Sequence, residues 1–124
     1  DLFKIKTFET IHHMESKIKG HLIKDIKERD IIKALFPGGS ITGAPKYKSM
    51  QIIDELENYN RGLYTGCLGT ITKNGDMDFN ICIRTMTINN NIATYPVGGG
   101  IVWDSTVREE YIEAKEKANI LNYK

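Results

Sequence analysis

The segment at residues 36–46, FPGGSITGAPK, constrains this chain more than any other stretch. It holds three glycines, two prolines, two hydroxyl side chains and a lysine, and an amphipathic helical pattern lies on each side of it. Glycine reaches positive φ and carries no Cβ to keep a ligand away, while Pro45 suits the first turn of a following helix. A helix start offers unpaired N–H groups and the positive end of a dipole, so this loop is expected to hold an anion, either a carboxylate or a phosphate. A nucleotide P-loop is excluded. Gly38 and Gly43 have the G-x-x-x-x-G spacing, but Ala44-Pro45-Lys46 replaces the Lys-Ser/Thr pair and the preceding segment reads as helix, not strand.

The rest of the chain is patterned around that loop. Residues 2–20 read as two extended segments, with Phe3 and Ile5 alternating with Lys4 and Lys6, and Ile11 alternating with Thr10 and His12. His12 and His13 therefore point to opposite faces, and only one of them can serve a given site. DIKERDIIKALF from Asp25 turns helical, Asp25 and Glu28 forming a capping-box-like start and Pro37 a stop. A second helix is predicted over residues 45–57, its stripe made of Met50, Ile52, Ile53 and Leu56. Three strands follow at 63–72, 77–88 and 92–97, joined by turns at 73–76 and 89–91. The Asn74-Gly75 pair marks antiparallel neighbours. In the middle strand Met77, Phe79, Ile81 and Ile83 share one face; Asp78, Asn80, Cys82 and Arg84 share the other. After Gly98-Gly99-Gly100, a last helix runs nearly to Lys124 with a core stripe of Tyr111, Ala114, Ala118 and Leu121, flanked by Glu110, Glu113 and Lys117.

Composition excludes several classes of partner. With 17 basic against 16 acidic residues in 124, nothing points to nucleic acid or to an anionic membrane, and no apolar run is long enough to span a bilayer. A cytoplasmic protein of at most one domain is expected. Cys67 and Cys82 match no zinc or redox spacing and are expected as buried reduced thiols. The chain opens on Asp1, within a β pattern and without an initiator Met, as a piece of something longer or a processed protein would.

Taken singly, the polar residues have ordinary explanations. A glycine run is often only a tight turn, and Gly98-Gly99-Gly100 lacks the later glycine and immediate helix of a dinucleotide fingerprint. Arg84 on a strand can sit on a solvated face, and Glu113 with Lys117 is by default an i, i+4 surface pair. The alternative is that paired carboxylates near a helix start hold a hard cation such as Mg2+.

Seven blocks in order decide between these readings: HHMES at 12–16, FPGGSITGAPK at 36–46, IIDELE at 52–57, RGLYTG at 61–66, DFNICIRT at 78–85, GGGIVWDS at 98–105 and EYIEAKEKA at 110–118. Together they resemble the C-terminal part of the chorismate-utilising enzymes, over almost the whole chain. The GGSITGAPK form is most similar to the aminodeoxychorismate synthase component I branch, next to the anthranilate synthase component I branch; isochorismate and salicylate enzymes usually depart from it. The resemblance implies an α+β fold, part of a two-sheet antiparallel architecture with helices outside, and residues 1–124 as the C-terminal fragment of a chorismate-binding catalytic domain.

It also implies roles. His13 matches an active-site histidine near the C4 hydroxyl of chorismate. Ser40 matches a pocket-lining hydroxyl, Tyr64 and Arg84 match holders of a substrate carboxylate, and Gly98 and Gly100 match backbone close to substrate. Glu113 matches a Mg2+ ligand, Glu110 a neighbouring acidic position, and Lys117 a lysine near metal and substrate. Further acidic ligands and a Pro-Ile-Lys-Gly-Thr block, with Ala for Lys in anthranilate synthases, are expected before Asp1. The implied partners are chorismate, the missing N-terminal part and a glutamine amidotransferase subunit or domain. Turnover by the isolated chain is not expected, whereas self-association through uncovered sheet edges is. The other reading is a non-catalytic module that keeps the anion pocket.

Overall fold

The computed structural model describes residues 1–9 and 11–122; Thr10, within the first extended pair, and the expected end of the last helix at Tyr123 and Lys124 lie outside them. In chain order come β1 (Lys4–Thr7), β2 (His12–Glu15), α1 (Glu28–Leu35), α2 (Gly39–Thr42), α3 (Lys46–Leu56), β3 (Cys67–Ile71), β4 (Met77–Ile81), β5 (Thr87–Asn89), β6 (Ile92–Thr94) and α4 (Val107–Ala118), which continues into a 3-10 turn at Asn119–Asn122. The architecture is α+β. Its strands form three antiparallel pairs, β1 with β2, β3 with β4 and β5 with β6.

The Asn-Gly signal is borne out. Gly75 takes φ +86, its N–H donates to the Thr72 carbonyl at 3.0 Å, and the flanking strands pair from Cys67 opposite Ile81 to Ile71 opposite Met77. Met77, Phe79 and Ile81 are half-buried and Asp78 and Asn80 exposed, as the alternation requires.

The long middle strand is not continuous, however. After Ile81 the Ile83 N–H turns back to the Ile81 carbonyl at 2.9 Å, and Arg84 takes φ +50. A left-handed residue cannot continue a pleat, so pairing restarts at Thr87, now with β6 alone. The predicted first strand is also shorter. Its opening residues form turns, with Tyr64 N–H on the Arg61 carbonyl and Gly66 N–H on the Leu63 carbonyl.

The helices keep their places with different ends. Asp25 is left-handed at φ +63, which an N-cap residue is not, so the expected capping box does not form; α1 starts from an extended Lys27 instead. Pro45 is the N-cap of α3 rather than its first helical residue, and the glycine loop contains the one-turn helix α2. The Lys46 ammonium donates to the Ala34 carbonyl at 3.0 Å and so ties the start of α3 to the last turn of α1.

This chain is open. Its accessible surface is 11442 Å2, against roughly 6,700 Å2 for a compact monomer of its mass. Among the described residues only Cys82 and Thr65 are buried. The expected stripe of α4 is correspondingly incomplete: Ala114 and Ala118 are half-buried while Tyr111 and Leu121 are exposed, because among the described residues no other long helix or strand packs on α4. Cys67 is likewise only half-buried, and both thiols are free. No helix among the described residues is long and apolar enough to cross a membrane.

Gly69 faces its partner strand so closely that an added Cβ would lie 2.0 Å from the Asp78 carbonyl oxygen. Gly69→Ala is therefore expected to destabilise the β3–β4 pair by about 1–3 kcal/mol, read as a lower urea midpoint. An unchanged midpoint would contradict this register.

Candidate active site

Two glycine-rich stretches and the break after β4 converge on one cavity of about 260 Å3. Ser40, Tyr64, Arg84, Gly98, Gly100 and Lys117, the six residues expected to handle substrate, all line it. They come from five places in the chain: α2, the turn before β3, the bend after β4, the segment after β6, and α4. His13 is not among them. It sits exposed on β2 opposite Lys6, its ring edge-on to Phe8 with centroids 5.9 Å apart, and among the described residues β1 and β2 pack on no other element.

The cationic wall follows from backbone geometry. The left-handed bend carries Arg84 away from the ladder, and among the described residues its guanidinium makes no hydrogen bond or ion pair. Lys117 reaches across from α4, its ammonium donating to the Gly98 carbonyl at 2.9 Å and to a Glu113 carboxylate oxygen. An exposed i, i+4 pair of this kind contributes little to stability, but here the lysine also anchors the glycine segment.

Tyr64 packs beneath that segment. A Cβ on Gly98 would come within 2.7 Å of the Tyr64 hydroxyl, so the close approach requires glycine. Burial pushes the phenol above its ordinary pKa, with the Arg61 guanidinium opposing the shift, and the group is a neutral donor at neutral pH.

Glu110 and Glu113, the two expected metal-site carboxylates, do not line the cavity but stand beside it on α4. Thr106 caps the helix by accepting from the Glu109 N–H, and Ser105 Oγ donates to Glu110 Oε1 at 2.5 Å. That leaves Glu110 Oε2 buried without a hydrogen-bond partner. A Cβ on Gly99 would lie 2.6 Å from this oxygen and 3.6 Å from Glu113 Oε1, so both carboxylates converge on the same bare backbone. Glu113 Oε1 already accepts from Lys117, so Glu110 Oε2 is the oxygen of the two without a partner among the described residues; Mg2+, which keeps several waters and takes one or two carboxylates, could use such a set. Among the described residues no group of three or more His, Cys, Asp or Glu side chains is placed to hold a metal.

Several contributors are not visible in the sequence pattern. Gly99, between the two expected glycines, meets the carboxylates. Thr65, left-handed at φ +67, lines both this cavity and a larger open one of about 570 Å3 beside α3. Arg61 and Glu57 pair through two hydrogen bonds of 2.7 and 2.5 Å, and their i, i+4 spacing alone does not set them apart from an ordinary surface pair.

Comparison with known proteins shows the family. Residues 1–123 match the family described as chorismate binding enzyme, and the chain belongs to that family. It is 44% identical over 119 residues to aminodeoxychorismate synthase component 1 of Escherichia coli (strain K12), covering 96% of this chain and 26% of that protein. An anthranilate synthase component I-like protein of Synechocystis sp. is 41% identical over 121 residues, 98% of this chain and 25% of the relative. The crystal structure of anthranilate synthase component I from Streptococcus pneumoniae TIGR4 superposes with a TM-score of 0.91 at 38% identity, over 98% of this chain and 28% of that one. The chain thus spans about a quarter of the length of these relatives.

Because the Tyr64 hydroxyl occupies the space a side chain at 98 would need, Gly98→Ala is expected to displace the phenol and weaken anion binding by roughly tenfold. Titration of the variant with a dicarboxylate, beside the unaltered chain, checks this; equal affinities would contradict the close approach.

Proposed function

We propose that residues 1–124 form the C-terminal part of a chorismate-binding catalytic domain, and that the domain is an aminodeoxychorismate synthase component I. Its reaction replaces the C4 hydroxyl of chorismate with ammonia, drawn from glutamine by an amidotransferase subunit or domain, to give 4-amino-4-deoxychorismate for para-aminobenzoate and folate synthesis in the cytoplasm. The observation that carries this reading is the unpaired Arg84 guanidinium, in one cavity with Tyr64, Lys117 and the Gly98 backbone. A small dicarboxylate suits such a wall, because a guanidinium fork and a phenol can each take a carboxylate oxygen.

In this reading Arg84 and Tyr64 grip one carboxylate, Ser40 lines the ring, and Gly98 and Gly100 let the backbone approach it. Lys117 fixes the Gly98 carbonyl and adds positive charge. His13 is assigned as proton donor to the departing hydroxyl, a role that requires the β1–β2 hairpin to come over the cavity. Glu113 and Glu110 would hold Mg2+. When bound, the ion supplies Lewis-acid attraction for the ring carboxylate as the nucleophile adds.

A second reading, anthranilate synthase component I, draws on the superposition with the Streptococcus pneumoniae enzyme. It uses the same walls and differs in which ring carbon the nucleophile attacks. Product analysis of the complete enzyme separates the two.

Calorimetric titration of the chain with chorismate is expected to show saturable binding that tightens with Mg2+. Arg84→Met should weaken it by roughly ten- to a hundredfold, and Glu113→Gln should remove the Mg2+ effect. Absence of binding by the unaltered chain, or indifference to Arg84→Met, would overturn the assignment. Turnover by the purified chain alone is expected to be undetectable, and a measurable rate would contradict the proposal that it is a fragment.

The excess exposed surface supports a further expectation, that the isolated chain self-associates. Sedimentation velocity should show species heavier than a monomer at micromolar concentration. A clean monomer would refute it.

A further inference from the structure

We infer that Arg61, held by Glu57, is a positioning residue for the cavity: it sets Tyr64 and Thr65 against the glycine segment without itself reaching the substrate. The inference rests on the chorismate reading above only for the identity of the ligand. The geometry comes from α3 and the turn that follows it.

Glu57 closes α3 as its C-cap, and the two parallel hydrogen bonds from Arg61 Nε and Nη2 to its carboxylate fix the guanidinium plane. The pair is well sheltered, with side-chain exposures of 22% for Arg61 and 26% for Glu57. The remaining Nη1 donates to Thr65 Oγ1 at 3.3 Å, while the guanidinium carbon lies 5.5 Å from the centre of the Tyr64 ring. One planar group therefore contacts two consecutive cavity residues. Thr65 Oγ1 passes the constraint on by donating to the Tyr64 carbonyl, and the Thr65 N–H donates to the Cys82 carbonyl at 2.9 Å.

Both residues that Arg61 touches need such support. Thr65 is a β-branched residue at positive φ, a conformation that costs energy unless its surroundings impose it. Tyr64 must stay flat beneath Gly98, where no side chain would fit. Arg61 itself does not line the cavity that holds Arg84 and Lys117 but the neighbouring one on the α3 side, with Thr65 as the shared wall. Its charge is already engaged by Glu57, which stays ionised below the usual carboxylate range because Arg61 hydrogen-bonds to it. A second anion grip is therefore not its role.

The test is a cycle between Arg61 and Tyr64 in the full chain, with chorismate as ligand and 19F-labelled tyrosine as a ligand-free probe, Tyr64→Phe assigning the resonance. Arg61→Met is expected to weaken chorismate on the order of tenfold in the unaltered background and to have little further effect in Tyr64→Phe. It should shift or broaden the Tyr64 resonance while leaving that of Tyr111 unmoved. Glu57→Gln should reproduce a smaller version of both changes, and Arg61→Lys should fail to restore either, because a point charge cannot make the planar contact. Losses that add in the double variant, or an unmoved Tyr64 resonance, would overturn the inference. If Arg61→Met does not fold, Glu57→Gln and Arg61→Lys carry the same comparison. If the unaltered chain binds no chorismate, the functional assignment fails, and the Tyr64 resonance still decides whether Arg61 positions the ring.

Discussion

Two hydrogen bonds hold the functional half of this chain together: Thr65 N–H to the Cys82 carbonyl and Cys82 N–H to the Gly66 carbonyl, both 2.9 Å. They extend the β3–β4 ladder by one step past the last regular pair, Cys67 opposite Ile81, and they join the only two residues buried among those described. Tyr64 lies immediately before one anchor and Arg84 two residues after the other. A backbone pair of this kind contributes only about 0.5–1.5 kcal/mol per bond net, but breaking it would leave buried polar groups unpaired and release both cavity walls at once. The left-handed φ values of Thr65 and Arg84 then follow as the two turns by which the chain leaves the ladder.

That hub is small for the load it carries. An excess of several thousand Å2 of exposed surface means that most apolar side chains here meet water, from Ile5 and Met14 on the first hairpin to Trp103 before α4. Hydrophobic burial therefore cannot be what fixes the cavity. Polar connections fix it instead: Lys117 to Gly98, Arg61 to Glu57 and Thr65, Ser105 to Glu110, and Lys46 to Ala34. Two of them, Lys117 to Gly98 and Lys46 to Ala34, join separate elements, and the others fix local turns. Among the described residues no such link joins the β1–β2 hairpin, which carries His13, to the cavity.

The sequence makes some of this legible and hides the rest for identifiable reasons. Periodicity locates the long helices, and Asn74-Gly75 locates the hairpin, because those signals act over a few residues. The family resemblance implies which side chains serve one site, and six of them line one cavity while His13, Glu110 and Glu113 do not. Alternation fails at residues 77–88, since a left-handed Arg84 looks no different in sequence from a pleated one. It fails again for the helical stripes of α3 and α4, where an apolar periodicity records what a face is suited to meet and not whether anything in this chain meets it. Thr65 and Arg61 stay hidden because their importance lies in what they touch, and a threonine or an i, i+4 ion pair is ordinary in isolation.

The glycine-proline loop also changes its meaning. Its composition suggests an anion at the start of the following helix, yet only Ser40 and Ile41 of this stretch line the cavity, while the first residue of α3 turns its ammonium back to α1. The start of α3 is thus committed elsewhere. The cationic side chains that face the cavity are Arg84 and Lys117, and the carboxylates of Glu110 and Glu113 lie against Gly99, outside the cavity lining. Lys117 and Glu113 are themselves ion-paired, so the cationic and acidic side chains meet along the glycine segment. Glycine at 98 and 99 lets those side chains lie directly against the backbone. A side chain at 98 would collide with the phenol, and one at 99 with the carboxylate, so the absence of side chains there is as much a part of the site as the charges on either side.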